Sequence, residues 1–187
     1  MEITVKNLCK AYDGRQVLEH VSFTAGVGVT CIMAPSGAGK TTLLRLLLGL
    51  ERPDSGTVHG LEGRRLAAVF QEDRLLEHRN AAGNLRFILG PAYDAGRAEA
   101  LLAEVGLGDV GEKPVRDWSG GMKRRLALVR ALLAPADALV LDEPFTGLDG
   151  ENRQRCLALV RRYAADRPVL LVTHDPADTG DAALVRL

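Results

Sequence analysis

The sequence predicts an α/β protein: a mainly parallel sheet, with antiparallel strands before it and a small helical lobe inserted between its strands. Three observations carry that expectation. Ala138-Leu139-Val140-Leu141 and Val169-Leu170-Leu171-Val172-Thr173 are unalternating apolar runs of strand length, the pattern of strands buried on both faces. Helical stretches lie between such runs, and a strand–helix–strand order favours parallel neighbours. Finally, the glycine-containing run Ala34-Pro35-Ser36-Gly37-Ala38-Gly39-Lys40-Thr41-Thr42 joins an apolar stretch, Val29 to Met33, to a leucine-rich one, Leu43 to Leu50.

In chain order, Glu2-Ile3-Thr4-Val5-Lys6 alternates with period two, as a half-buried strand does. Asp13-Gly14 is a tight-turn signal, and Gln16-Val17-Leu18 and Val21-Ser22-Phe23 are further short strands. Beside that turn, Tyr12 reads as a turn tyrosine with a partly buried ring. After the Leu43–Leu50 helix, Arg52-Pro53-Asp54-Ser55-Gly56 is a turn, and Thr57-Val58 and Leu66 to Phe70 are strands, with Gln71 directly after the second. Residues 80–89 and 94–105 are helical, the latter with Asp94 as N-cap and Gly106 as stop, and Gly90-Pro91 breaks the two apart. Trp118-Ser119-Gly120-Gly121-Met122 opens a helix over 123–133, ended by Pro135. A helix over about 151–165 carries Leu157, Val160 and Ala164 on one stripe, and residues 182–187 form a last short strand. Apolar Leu75, Leu76, Leu85 and Phe87 mark a lobe surface for a short helix of a partner, or else the lobe's own core.

At 187 residues, with 47% hydrophobic and 26% charged, the chain is long enough for a sizeable core. Lys+Arg and Asp+Glu both count 24, so net charge draws it neither to nucleic acid nor to an anionic membrane. Lys123-Arg124-Arg125 and Arg161-Arg162 read as solvated helix faces. Cys9, Cys31 and Cys156 are too few and too scattered for a metal or disulfide framework, and fit free thiols in a reducing cytosol. No signal segment opens the sequence, and Arg45 interrupts its best apolar run. A membrane role therefore has to come through a partner.

The residues around Lys40 form a phosphate loop. Unpaired N–H groups at a helix start converge on an anion, and the helix dipole favours negative charge there. Gly37 and Gly39 let the backbone approach phosphates closely. Lys40 reaches the β- and γ-phosphates, and the Thr41 hydroxyl holds Mg²⁺. Ala34 stands where the usual pattern opens with glycine, and is tolerated if its φ is negative. In an open α/β sheet, ligands bind at the C-terminal strand ends. There stand Lys40 and Thr41, Gln71, Asp142 with Glu143, and His174. Asp142 suits Mg²⁺ through its water shell, and Glu143 suits accepting a proton from an attacking water. Gln71 can touch both metal and water, and His174 can hydrogen-bond the γ-phosphate. Ser119-Gly120-Gly121 is a second helix start able to cradle an anion, and two cradles in one chain suggest that one serves another copy.

With these motifs in this order, nearly the whole chain resembles the nucleotide-binding subunits of ATP-binding-cassette transporters. Ala34–Thr42 is similar to that family's first nucleotide motif, with Ser36, Gly37, Ala38, Gly39, Lys40, Thr41 and Thr42 as ATP-binding positions. Gln71 matches its Q-loop, Trp118–Met122 its LSGGQ signature, and Leu139–Glu143 its second nucleotide motif. Thr146–Asp149 matches the D-loop, His174 the switch histidine, and Tyr12 the aromatic that stacks on adenine. Trp118 and Met122 depart from the signature, whereas Ser119, Gly120 and Gly121 keep its phosphate-contacting part. The chain also ends soon after His174, where many relatives continue. Val69 to Leu76, with the Ser-Gly-Gly-Met signature, most resembles nitrate/sulfonate/taurine import subunits.

The resemblance implies a phosphate-loop NTPase core of RecA-like type as one ATPase domain, with core residues about 1–71 and 126–187 and lobe about 72–125. Implied with it are ATP and Mg²⁺, a second ATP-binding subunit packed head to tail, an integral membrane subunit, a substrate-binding protein, no nucleic acid, and a place on the inner face of the cell membrane. The catalytic positions it assigns are Lys40, Gln71, Glu143 and His174; the metal positions are Thr41, Gln71 and Asp142. A cassette ATPase acting on ribosomes or DNA is the alternative. Such proteins usually carry tandem cassettes or long coiled-coil inserts, which this sequence lacks.

Overall fold

The structure, a computed structural model, describes residues 1–35 and 37–187. Its strands are β1 (Ile3–Tyr12), β2 (Arg15–Ala25), β3 (Gly28–Met33), β4 (Ser55–His59), β5 (Leu66–Val69), β6 (Ala138–Asp142), β7 (Pro168–Thr173) and β8 (Ala183–Arg186). Its helices are α1 (Lys40–Leu47), α2 (Ala81–Leu89), α3 (Ala95–Glu104), α4 (Gly120–Leu133) and α5 (Gly150–Tyr163).

The N-terminal strands are longer than their sequence signals. Asp13 and Gly14 have φ of 49° and 78°, the left-handed pair that a two-residue hairpin turn requires, and Tyr12 pairs with Arg15 across it. The two short strands expected after the turn are one, β2. Register shifts along β1 absorb the breaks in alternation that made it look like two. With β4 on its other edge, β1 is the centre of an antiparallel sheet ordered β2-β1-β4.

The second sheet runs β5-β6-β7-β3-β8, and every pairing in it is parallel. Met33 lies opposite Thr173, Asp142 opposite Val172, and Val69 opposite Leu141. Those strands therefore end almost flush, and the loops that leave them emerge on one rim. Both faces are covered, as the apolar runs require. Alternate residues Ile32, Val140, Leu170 and Val172 pack on Leu43, Leu44 and Leu47 of α1 and on Ile3, Val5 and Leu8 of the antiparallel sheet. Their neighbours Cys31, Leu139, Leu141, Val169 and Leu171 belong to the opposite core, with Leu126 and Val129 of α4 and Cys156 and Val160 of α5.

That opposite core continues without a break into α2 and α3, through Leu85, Leu89, Ala98, Leu102 and Trp118. Asp94 caps α3 as the sequence predicts, its side chain accepting from Arg97 N–H, whereas Asn80, expected as the first helical residue, instead caps α2 by accepting from Gly83 N–H. Two later helices start earlier than expected, because a side chain just outside each accepts a bond from its first turn. Ser119 does so for α4, accepting from Met122 N–H, and Asp149 for α5, accepting from Asn152 N–H. Of the four apolar lobe residues, Leu85 is fully buried and Leu75 packs partly against the core, as the core reading has it, while Leu76 is half-buried and Phe87 is 69% exposed, with its exposed neighbour Ile88. All three cysteines are buried free thiols, and burial pushes those of Cys31 and Cys156 up to about 11 and about 12. Among the described residues, no helix is long and apolar enough to cross a membrane.

Candidate nucleotide site

Strand β3 gives way to helix α1 through a loop that only particular residues can form. Gly39, the N-cap, has φ 84°, and a Cβ there would lie 2.7 Å from Leu18 Cδ2 and 2.8 Å from the Val17 carbonyl oxygen. Gly37 is also left-handed, at φ 82°. Ala34 is buried and is not among the positive-φ residues, so its methyl group costs the backbone nothing. Ser36 lies outside the described residues. The Lys40 ammonium folds back to donate to the Ala34 carbonyl at 2.9 Å and pairs with Glu143 Oε1 at 3.2 Å.

Glu143 is the centre of the opposite wall. Its φ of 46° is unusual for a non-glycine residue, and its N–H donates to the Val172 carbonyl at 2.9 Å. From there Oε1 faces both Lys40 and His174 Nδ1, the latter at 3.1 Å, and Oε2 accepts from the Thr146 hydroxyl at 3.3 Å. Burial pushes the Glu143 carboxyl up, but hydrogen bonds from His174 and Lys40 outweigh it and hold it below the ordinary range. Its neighbour behaves oppositely. Asp142 is 1% exposed, its Oδ1 has no hydrogen-bond partner among the described residues, and burial and then the Glu143 charge push it up to about 6 despite Lys40. Adjacent carboxyls whose pKa values are driven apart mark different roles.

The cavity between these walls, about 370 Å³, is lined by Gly37, Gly39, Lys40, Thr41, Thr42, Gln71, Glu143 and His174, with Val17 from β2. Residues far apart in sequence, at 37–42, 71, 143 and 174, thus meet in one hollow because β3, β5, β6 and β7 end on one rim. Asp142 lies at the end of β6, directly before Glu143. Its Oδ1, without a hydrogen-bond partner among the described residues, fits the needs of Mg²⁺, which keeps waters and takes few protein oxygens next to phosphates. A slightly larger hollow, about 420 Å³, sits at the other end of β3 beside Val27 and Arg161, and none of the described phosphate-loop residues lines it.

Five expected binding residues among those described are not in the cavity lining: Ala38, Tyr12, Ser119, Gly120 and Gly121. The Tyr12 hydroxyl donates to Glu51, while the Lys10 ammonium lies 5.4 Å from its ring centre. Ser119, Gly120 and Gly121 open α4 elsewhere, and a Cβ on Gly121 would come within 3.3 Å of the Gly147 carbonyl oxygen. Trp118 is buried in the lobe core, with Nε1 donating to the Lys113 carbonyl at 3.1 Å, and Met122 packs on the same core. Both departures from the signature pattern therefore serve packing.

Sequence reasoning missed what holds Gln71, and its reading of Lys123-Arg124-Arg125 as a solvated face is corrected. Arg124 donates to the Phe70 carbonyl at 2.6 Å and to that of Gln71, while Arg125 bonds the carbonyls of Val105 at 2.7 Å and Gly106 at 3.1 Å. Loop carbonyls left unpaired where elements end drew these guanidiniums inward, and no local pattern announces that. Arg161 and Arg162 are exposed, as expected.

A parallel sheet with flush strand ends, a left-handed Gly39 leading into Lys40, and a carboxylate pair facing that lysine define a phosphate-loop nucleoside triphosphatase. The ABC transporter sequence profile matches residues 18–146. An aliphatic sulfonates import ATP-binding protein, SsuB 1, from Rhodococcus jostii is 42% identical over 88% of this chain and 69% of its own length. Another SsuB 1, from Pseudomonas syringae pv. syringae, is 37% identical over 94% of this chain and 74% of its own. A sulfate/thiosulfate import ATP-binding protein, CysA, from Nephroselmis olivacea is 33% identical, and the chain spans 58% of that longer protein. Among solved structures, an ATP-binding subunit of an ABC transporter superposes with TM-score 0.85 at 28% identity, covering all of this chain and 86% of that one. The chain belongs to the ABC transporter family.

Proposed function

We propose that this chain is the ATP-hydrolysing subunit of an importer, using Mg²⁺-ATP to drive a separate membrane subunit. The observation that carries the reaction is the Lys40–Glu143–His174 cluster facing the phosphate loop. In it Lys40 and His174 already converge on a carboxylate oxygen at 3.2 Å and 3.1 Å. A γ-phosphate offers the same partners a richer set of anionic oxygens. Lys40 then transfers to phosphate, and Glu143 is released to accept a proton from the attacking water. Before nucleotide arrives, His174 and Lys40 hold Glu143 ionised, the form a base needs. Gln71 orients that water from the far wall, and His174 follows the phosphate. Bound Mg²⁺ supplies charge compensation on the phosphate oxygens, and Thr41 with Asp142 would hold it. Tyr12, at the end of β1 and within reach of Thr42, receives the adenine on its ring.

Ser119, Gly120 and Gly121 close the site of a second copy packed head to tail. Residues 72–125 act as a lobe on the core formed by 1–71 and 126–187. A substrate-binding protein delivers cargo to the membrane subunit, nucleic acid has no part in the cycle, and the ATPase sits on the inner face of the membrane. The sulfonate and sulfate names of the relatives support a small anionic cargo for the complex, read by its other subunits. Glu143→Gln tests the assignment, since it keeps shape and removes the base. Nucleotide affinity should stay near wild type while turnover falls by roughly 10²-fold or more. Unchanged steady-state hydrolysis in that variant would remove Glu143 from the role.

A further inference from the structure

The segment carrying Gln71 is fastened to α4 by two arginines. Arg124 forks onto the carbonyls of Phe70, at 2.6 Å, and Gln71, and its Nη1 is also 3.2 Å from Asp73 Oδ1. That carboxylate contact lies off the hydrogen-bond direction, so Asp73 Oδ1 attracts Arg124 by charge and has no hydrogen-bond partner among the described residues. Arg130 donates to the carbonyls of Arg74 at 2.7 Å and Asp73 at 2.8 Å. Between them, the two guanidiniums take the carbonyls of residues 70, 71, 73 and 74. The Arg124 side chain is 11% exposed, so these charge-assisted bonds work in a largely desolvated place.

Helix α4 is the same helix that Ser119 caps. Arg124 stands five positions beyond Ser119, or about 7.5 Å along the axis at ~1.5 Å per residue. A helix that short does not bend under load, so a shift of the Gln71 segment is handed to its N-terminus. We infer that Arg124 is a positioning residue that couples Gln71, in one nucleotide's cavity, to the Ser119-Gly120-Gly121 surface. The coupling deepens the ATPase proposal and rests on it. Planar Arg, unlike a point-charge Lys, can hold two carbonyls and a carboxylate at once.

Amide hydrogen exchange with and without Mg²⁺-ATP tests it in the full chain, alongside equilibrium nucleotide binding. Absence of nucleotide binding by the wild type would sink the ATPase reading itself, which separates that failure from this one. Coupling of ordinary size is a factor of about 5 or more, so ATP should change exchange at residues 120–123 by at least about that much in wild type. In Arg124→Ala the change should shrink to less than about half, with nucleotide affinity held within about twofold because the phosphate loop is untouched. Should Arg124→Ala fail to fold, Arg124→Lys keeps the charge but loses the fork, and should show the same shrinkage. An undiminished ATP response at 120–123 in either folded variant overturns the inference, as does no response in a wild type that binds ATP.

Discussion

Asp142 and Glu143 are consecutive carboxyls in one turn of chain, yet their surroundings push them in opposite directions. Glu143 faces two cations and is held ionised, whereas Asp142 sits 1% exposed with an open Oδ1. The Asp142 value of about 6, against 3.8 for a free aspartate, sets a sign for stability. Between about pH 4 and 6 the unfolded chain has released this proton and the folded chain has kept it. Stability of the nucleotide-free protein therefore falls as pH rises through that window. Above it, the folded state carries a cost on the order of 3 kcal/mol. Asp142→Asn, which mimics the neutral carboxyl, should raise the melting temperature by roughly 5–10 °C at pH 8 and by little at pH 4. Equal shifts at both pH values, read by calorimetry, would mean that Asp142 is not titrating in that window.

The strand–loop–helix unit from β3 to α1 turns on Gly39. Two glycines, Gly14 and Gly39, have similar φ, 78° and 84°, but only Gly39 has neighbours within 4 Å of where a Cβ would be. Gly14→Ala should cost only the left-handed penalty, about 1–2 kcal/mol. Gly39→Ala adds a collision with the Val17 backbone, so it should lower the melting temperature further and abolish nucleotide binding, since Lys40 and Thr41 come directly after it. Thermal melts of the two variants, with nucleotide titrations, compare them; equal losses would mean that the Val17 contact does not matter. At this scale the sequence was largely legible. The cap at Asp94, the Asp13-Gly14 hairpin and the phosphate loop all depend on neighbours a few residues away. Boundaries moved where a side chain outside the helix, Ser119 or Asp149, captured an N–H of its first turn.

For the molecule as a whole, the proposed mechanism requires the phosphate loop and the Ser119-Gly120-Gly121 helix start to act in different copies. Lys40 lines the cavity and Ser119 does not, so on the proposed mechanism one chain holds half of each of two sites. Wild-type turnover per chain should then rise with protein concentration. Glu143→Gln should accumulate dimers in Mg²⁺-ATP that light scattering detects, and fall back to monomers when nucleotide is removed. Turnover independent of concentration would place the whole reaction within one chain.

Local chemistry in the sequence determined the class of fold, the phosphate loop, and the identity of Gln71, Asp142, Glu143 and His174 as candidates, since strand-end placement and apolar runs are written in neighbouring residues. Tertiary structure decided what those residues do to one another. The strand order β5-β6-β7-β3-β8 is a matter of long-range pairing, and it brings positions 40, 71, 143 and 174 to one rim. The left-handed turn at Glu143, the open Oδ1 of Asp142, the burial of Leu85 and the inward course of Arg124 depend on what packs beside each group. Charge, burial and hydrogen-bond partners are properties of surroundings assembled from distant parts of the chain, so no stretch of sequence around those residues contains them.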